Sequence, residues 1–281
     1  MLKIEVAGIV VSIDIPDRLF RDDIFKFKVD DRRREDAVIE MANEPFPLFP
    51  ELEGRVPPVH YVYLSADLKY YLFSKHDSVN FLKYDTAYSR FIINLSEDAK
   101  DDEEIIEAVN CALRRIFIMI ITAAGGISLH SSTVGLNGDA VCFSAGSGTG
   151  KTTHTNLWRE HIPGVRILNG DKCYLFPQGD SVCFHSAPWC GTSGELINTE
   201  ASVRAIVFLE QGLENNLTDL TVPQAFMQIL TGCFLPVWDK ELYLKAIDTA
   251  ELLAGRVRCY HLKCLPDIEA VRVCYHGIYK C

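Results

Sequence analysis

The chain has 281 residues, 48% of them hydrophobic, which is enough apolar material for one large domain or two modest ones around buried cores. Its formal net charge of −10 excludes a nucleic-acid-binding surface, because backbone binding needs clustered Lys and Arg to displace counterions. The most apolar run, residues 116–124, falls short of the roughly 20 residues that span a bilayer, and the N-terminal stretch lacks the charged, apolar, small-residue order of a secretory signal. The expected partners therefore include neither nucleic acid nor membrane, the expected location is the cytoplasm, and any anionic ligand must be held by local groups.

Residues 1–96 read as mostly β. The stretch 2–15 alternates apolar and polar residues and reads as a strand, followed by 25–29, 37–41, 60–67, 69–75 and 89–96, together an antiparallel sheet. The proline-rich stretch 43–58 reads as a loop. Residues 96–126 form one long helix: acids crowd its start, Gly125-Gly126 closes it, and Ile105, Ile106, Val109, Leu113, Ile116 and Ile120 recur at helical spacing. The acidic run is then a solvated first turn.

Leu136-Asn137-Gly138 separates two strand-like runs, and Asn-Gly is a strong two-residue hairpin signal. A glycine stretch and a helix from Lys151 follow, then strands at 165–171, 173–177, 181–188 and 203–210. Helices near 223–233 and 239–254, a strand near 256–262 and a last helix from about Asp267 complete the chain. The fold class is α/β (α+β). The expected division is a β-rich N-terminal region, residues 1–100, suited to substrate recognition, and a second domain over 101–281 with a mixed sheet flanked by helices.

The glycine stretch carries the chemistry. Ala145 through Gly150-Lys151-Thr152 matches a P-loop with Ala at its first position, placed between a strand and a helix as that motif requires. Gly146, Gly148 and Gly150 let backbone N–H groups turn inward at a helix N-terminus, where the dipole also favours anions. The expected nucleotide contacts run from Gly146 through Ser147, Gly148, Thr149, Gly150, Lys151 and Thr152 to Thr153. Lys151 would neutralise the β and γ phosphates and Thr152 would bind Mg²⁺. Such a loop also needs a carboxylate at a neighbouring strand end, and Asp171, in "ILNGD", fits.

The combination "LHSSTV…NGDAVCFSAGSGTGKTT…ILNGD" resembles the C-terminal domain of the HPr kinase/phosphorylase family, and more broadly the phosphoenolpyruvate carboxykinase-like P-loop fold. The resemblance covers roughly residues 126–210. It implies that His130 is an active-site residue and that Asp171 matches the second member of an Asp-Asp pair, the member that takes the proton of a substrate serine. Gly170 replaces the first member, and Gly146 stands where those kinases carry an acid. The family's metal-binding Glu has its best counterpart in Glu195; its catalytic arginine has no match, Arg204 being the nearest available cation. Residues 1–96 look like the β-rich leader of bacterial P-loop proteins, some of which phosphorylate peptides or small hydroxyl compounds.

The leading expectation is an ATP- and Mg²⁺-dependent kinase acting on a hydroxyl, a serine above all, of a protein, peptide or small molecule. Lys151, Asp171 and His130 are its catalytic residues, and Thr152, Asp171 and Glu195 its metal ligands. The alternative is a nucleotide-binding regulator with a degenerate site; a plain NTPase is a third idea. Self-association is open. His154 and Trp158 share one helix face and are expected to pack, and Trp189 with the small residues 191–194 suggests a lid or phosphate-contact loop. The ten cysteines read as reduced thiols, and the pairs Cys259/Cys264 and Cys274/Cys281 fit zinc spacing only loosely.

Overall fold

The computed structural model describes residues 1–46, 61–64, 67–73, 77–96 and 102–279. The stretch read as a loop over 43–58 lies outside them after residue 46, as does Cys281. The chain is α/β, with two sheets and five α-helices among the described residues. None of those helices is long and apolar enough to cross a membrane.

The chain divides into two compact units, Met1–Ala123 with Pro236–Tyr243, and Ala124–Leu235 with Leu244–Cys281. The first holds β1 (Leu2–Val6), β2 (Ile9–Asp14), β3 (Ala37–Ala42), β4 (Tyr61–Leu64), β5 (Leu68–Leu72), β6 (Val79–Asp85), β7 (Arg90–Leu95) and α1 (Asp102–Ala123). Its strands run in the order β1-β2-β3-β7-β6-β5-β4. The stretch read as one N-terminal strand is a hairpin, because Ala7 and Gly8 both take positive φ (54° and 77°) and reverse the chain between β1 and β2. The sheet is mixed rather than antiparallel: β2 pairs with β3, and β3 with β7, in parallel. Residues 25–29 lie largely in a 3₁₀ turn, Asp22–Phe27, instead of a strand. Ile24 and Phe27 are buried while Phe25 is exposed, an i, i+3 spacing that a three-residue turn satisfies and a strand does not.

Helix α1 falls in this first unit, not with the second domain as the sequence suggested. Val109, Leu113, Ile116, Phe117 and Ile120 are buried along it, and it packs on β6 and β7. The unit also holds a charge cluster around buried Lys69 and Asp239, with Glu241 at its exposed edge. Lys69 Nζ lies 3.0 Å from Asp239 Oδ2 and 3.0 Å from Glu241 Oε2, and the Tyr88 hydroxyl donates to Asp239.

The second unit contains β8 (Ile127–Leu136), β9 (Asp139–Ser144), α2 (Lys151–His161), β10 (Arg166–Asn169), β11 (Lys172–Gln178), β12 (Ser181–Ser186), β13 (Glu200–Gln211), β14 (Asn216–Asp219), α3 (Val222–Gly232), α4 (Lys240–Arg256), β15 (Arg258–Cys264) and α5 (Ile268–Tyr279), although the start of α4 groups with the first unit. Asn137 and Gly138 take positive φ and form the β8–β9 turn. Strand β13 runs parallel to both β9 and β15, so Ser144, Phe208 and His261 stand side by side near the carboxyl ends of three neighbouring strands. In open α/β sheets that end is where ligands gather. Two cores are built on this sheet, one around Leu129, Phe184 and Ile206, the other around Phe143, Trp158 and Val207.

Candidate functional site

The loop 145–150 leaves β9 at Ser144 and enters α2 at Lys151. Gly148 and Gly150 adopt φ of 78° and 111°, conformations that L side chains rarely reach, and Gly150 is the helix N-cap. A Cβ on either would meet nothing within 4 Å, so these glycines are required by backbone conformation rather than by crowding. Gly146 differs: its φ is ordinary, and a Cβ there would come no closer than 3.6 Å to Thr149 Oγ1. A Cβ at that position would make only an ordinary contact.

Lys151 is 8% exposed, and its ammonium donates to the Ala145 and Gly146 carbonyls at 2.9 and 3.2 Å. Burial lowers its pKa, and the charge of Asp171 pulls in the opposite direction. Ser147, Thr152 and Thr153 are exposed at the mouth of the loop. His154 packs as expected: it is buried, accepts a hydrogen bond from Trp158 Nε1 at 3.0 Å and meets the Phe143 ring edge-on. Desolvation pushes its pKa down to about 4, so the ring is neutral.

Strand pairing brings the second set of groups to the loop. The β8–β11 register sets Lys172 opposite His130, and Ser131 N–H donates to the Asp171 carbonyl at 3.0 Å. His130 Nε2 then lies 3.5 Å from Asp171 Oδ1, and Lys172 Nζ 3.4 Å from Asp171 Oδ2. Burial by itself would raise the Asp171 pKa, but the hydrogen bond from His130 and the charge of Lys172 outweigh it and hold the carboxyl below its usual range. Asp171 is an anion at neutral pH. Ser144 Oγ donates to the His130 carbonyl at 2.9 Å, which ties the His130 strand to the start of the glycine loop.

Asn169 organises the turn that presents Asp171. It is fully buried; its Oδ1 accepts from the N–H groups of Asp171 and Lys172 at 3.0 and 3.1 Å, and its Nδ2 donates to the carbonyls of Ala187 and Trp189. The Trp189 loop therefore sits against the Asp171 turn. A Cβ on Gly191 would come within 2.9 Å of Asp171, and one on Gly170 would stand 1.9 Å from Ser193 Oγ. Ser193 thus fills the space in which a side chain at 170 would have to lie.

Glu195 is not brought to this cluster through its side chain. Its carboxylate takes a 2.6 Å bond from Arg159, seven residues beyond Thr152 and so about 10 Å along α2. Arg204 lies over the Tyr279 ring. Cys259 and Cys274 are buried in different cores, with the Cys259 thiol pushed up to about 12.

Two cavities flank the glycine loop. One, about 360 Å³, is lined by His130, Ser144, Ala145, Gly146, Glu210 and His261 among others; the second, about 400 Å³, lies along Gly148, Thr149, Gly150 and Thr153 and is walled by Leu209, Cys264, Leu265 and Pro266. In the first, His261 Nε2 pairs with Glu210 Oε2 at 3.0 Å. The sequence placed Ser193 only within a lid or phosphate-contact loop, and singled out neither Asn169, Glu210 nor His261 for this site. Asn169 had a local signal in "NGD"; Glu210 and His261 had none, since only the parallel pairing of β13 with β15 joins them.

No family model matches the chain, nor does any curated protein. A solved structure of the Hpr(Ser) kinase/phosphatase from Coxiella burnetii is similar at 10% identity and a TM-score of 0.33, over 54% of this chain and 97% of that one.

Proposed function

We propose that the chain is an ATP-dependent phosphotransferase with a carboxykinase-like P-loop arrangement, moving the γ-phosphoryl group to a hydroxyl of a serine or a small molecule. The observation that carries this reading is the juxtaposition of a positive-φ glycine loop and buried Lys151 with an ionised Asp171 held by His130. The cavity along Thr153, with apolar walls, suits the nucleoside, and the cavity holding His130 suits the acceptor. Magnesium, when bound, neutralises charge developing on the phosphates. The exposed Thr152 hydroxyl and the Asp171 carboxylate are a donor set that fits it.

Loop N–H groups and Lys151 bind and orient the phosphates. The acceptor oxygen bonds to the γ-phosphorus as the bond from that phosphorus to the β,γ-bridging oxygen breaks, ADP leaves, and the hydroxyl proton passes to Asp171. His130 and Lys172 fix the orientation of Asp171 and keep it charged. Because its pKa is low, Asp171 is a weak base, suited to a loose transition state in which the proton leaves late.

One observation favours a nucleotide-binding regulator instead: at Gly170 there is no room for the first carboxylate of the kinase pair. Lys151→Ala and Asp171→Asn separate the readings when ATP binding and ADP release with hydroxyl acceptors are measured together. The kinase reading expects Lys151→Ala to lose both binding and turnover, and Asp171→Asn to bind ATP with turnover down by at least 10²-fold. Wild-type protein that binds ATP yet transfers to no serine peptide or polyol, with no hydrolysis, would leave the regulator.

A further inference from the structure

Away from the glycine loop, Cys183, His185 and Glu200 bring a thiol sulfur, an imidazole nitrogen and a carboxylate oxygen within 4.8 Å of one another. Strand geometry makes the cluster. Cys183 and His185 are two apart on β12 and so share a face, and the antiparallel register with β13 sets Glu200 directly opposite His185. The alternate residues Val182 and Phe184 are on the other face and buried in the core, which anchors the strand beneath the cluster. His185 is oriented on both sides: its Nδ1 is 3.7 Å from Glu200 Oε2, and its ring meets the edge of Phe176 at a centroid distance of 5.6 Å.

We infer that Cys183, His185 and Glu200 form a binding site for a single zinc ion, with the fourth tetrahedral position left to water or a ligand. Thiolate with imidazole and carboxylate is a donor set that selects zinc over magnesium or calcium, which prefer oxygen alone. Tetrahedral bonds of about 2.0–2.3 Å set donors roughly 3.3–3.8 Å apart, so closing from 4.8 Å needs side-chain shifts of about 1 Å and no backbone rearrangement. The Cys183 thiol gives up its proton on binding, forming the sulfur–metal bond as a hydrated ion loses water.

The position gives the site a consequence. Cys183 and His185 lie at the end of β12 and Glu200 at the start of β13, so the ion would join the two ends of the segment 187–199. That segment carries Trp189, Gly191 and Ser193 against the Asp171 turn. The inference does not rest on the proposed phosphotransfer, because none of the three ligands belongs to the glycine loop or to the Asp171 turn.

The test is titration of the full chain with Co²⁺, followed by displacement with Zn²⁺. Wild-type protein should show a near-ultraviolet thiolate-to-cobalt charge-transfer band at one equivalent, abolished by Zn²⁺. Cys183→Ser should lose the band, and His185→Ala and Glu200→Gln should each weaken binding by at least 10-fold. Lys151→Ala should bind cobalt as wild type does, whatever the fate of phosphotransfer. Glu200 is exposed, so Glu200→Gln keeps the test intact should a β12 variant fail to fold. Absence of the band in wild type, or a band of equal strength in Cys183→Ser or unchanged affinity in Glu200→Gln, would overturn the inference.

Discussion

Gly170 offers the sharpest check on the site geometry. Its φ is ordinary, so Gly170→Ala carries no penalty of backbone conformation, and its cost is set by space alone. The new methyl would stand 1.9 Å from Ser193 Oγ and 2.5 Å from Ser193 Cβ. Rotating the hydroxyl away does not relieve the second contact, and that hydroxyl is already committed to the Cys190 carbonyl at 2.7 Å and to the Glu195 N–H at 3.2 Å. The loop 190–195 must therefore move. Overpacking of this kind costs about 1–3 kcal/mol. Because Asp171 is the next residue, a displacement near 1 Å should also lower turnover on the order of 10²-fold. Ser193→Gly removes both clashing atoms, so the double variant should recover most of the loss. Thermal unfolding and turnover of the two single variants and the double variant form a cycle with an expected coupling of about 1–3 kcal/mol. Gly146→Ala, where a Cβ would make only an ordinary contact with Thr149 Oγ1 at 3.6 Å, serves as the control and should unfold as wild type does. A Gly170→Ala protein of wild-type stability, or strictly additive effects with Ser193→Gly, would refute the argument that Ser193 occupies the missing side chain's place.

Two further predictions concern stability. Lys69 and Asp239 are 5% and 3% exposed, so Lys69→Met strips a buried carboxylate of its cation; with Tyr88 still donating to it, the loss should be about 3 kcal/mol, read from denaturant unfolding, while Lys69→Met/Asp239→Leu recovers part of it. His154 is buried and neutral with a pKa near 4, against about 6.5 when unfolded. Between those values the unfolded chain takes up a proton that the folded chain does not. Stability is therefore undiminished above about pH 6.5 and falls as pH drops toward 4, by up to about 3 kcal/mol. His154→Gln, which can still accept from Trp158 Nε1, should flatten this limb in a pH series of urea midpoints; an unchanged slope would contradict it.

Local chemistry was legible in the sequence wherever one segment determined it. Glycines at positive φ, the Asn137-Gly138 turn, the apolar stripe of α1 and the strand-loop-helix order around Lys151 are all short-range consequences of backbone sterics and hydrophobic period. The same reasoning failed where two periods competed. Residues 25–29 alternate like a strand, yet Ile24 and Phe27 are buried together in a 3₁₀ turn, and Ala7-Gly8, without Asn, Asp or Gly at its first position, carried no hairpin signal.

The glycine loop, its lysine and the candidacy of Asp171 were readable from the residues alone, and the candidacy of His130 from the resemblance that they carry. Everything that depends on which strands lie side by side came from the assembled sheets. Pairing of β8 with β11 sets His130 against Asp171, parallel pairing of β13 with β15 joins Glu210 to His261, and antiparallel pairing of β12 with β13 gathers Cys183, His185 and Glu200. Tertiary packing also assigned Glu195 to Arg159 and gave the space beside Gly170 to Ser193. Register across a sheet is a long-range property, fixed by which faces are buried once the whole core assembles, and no local pattern encodes it.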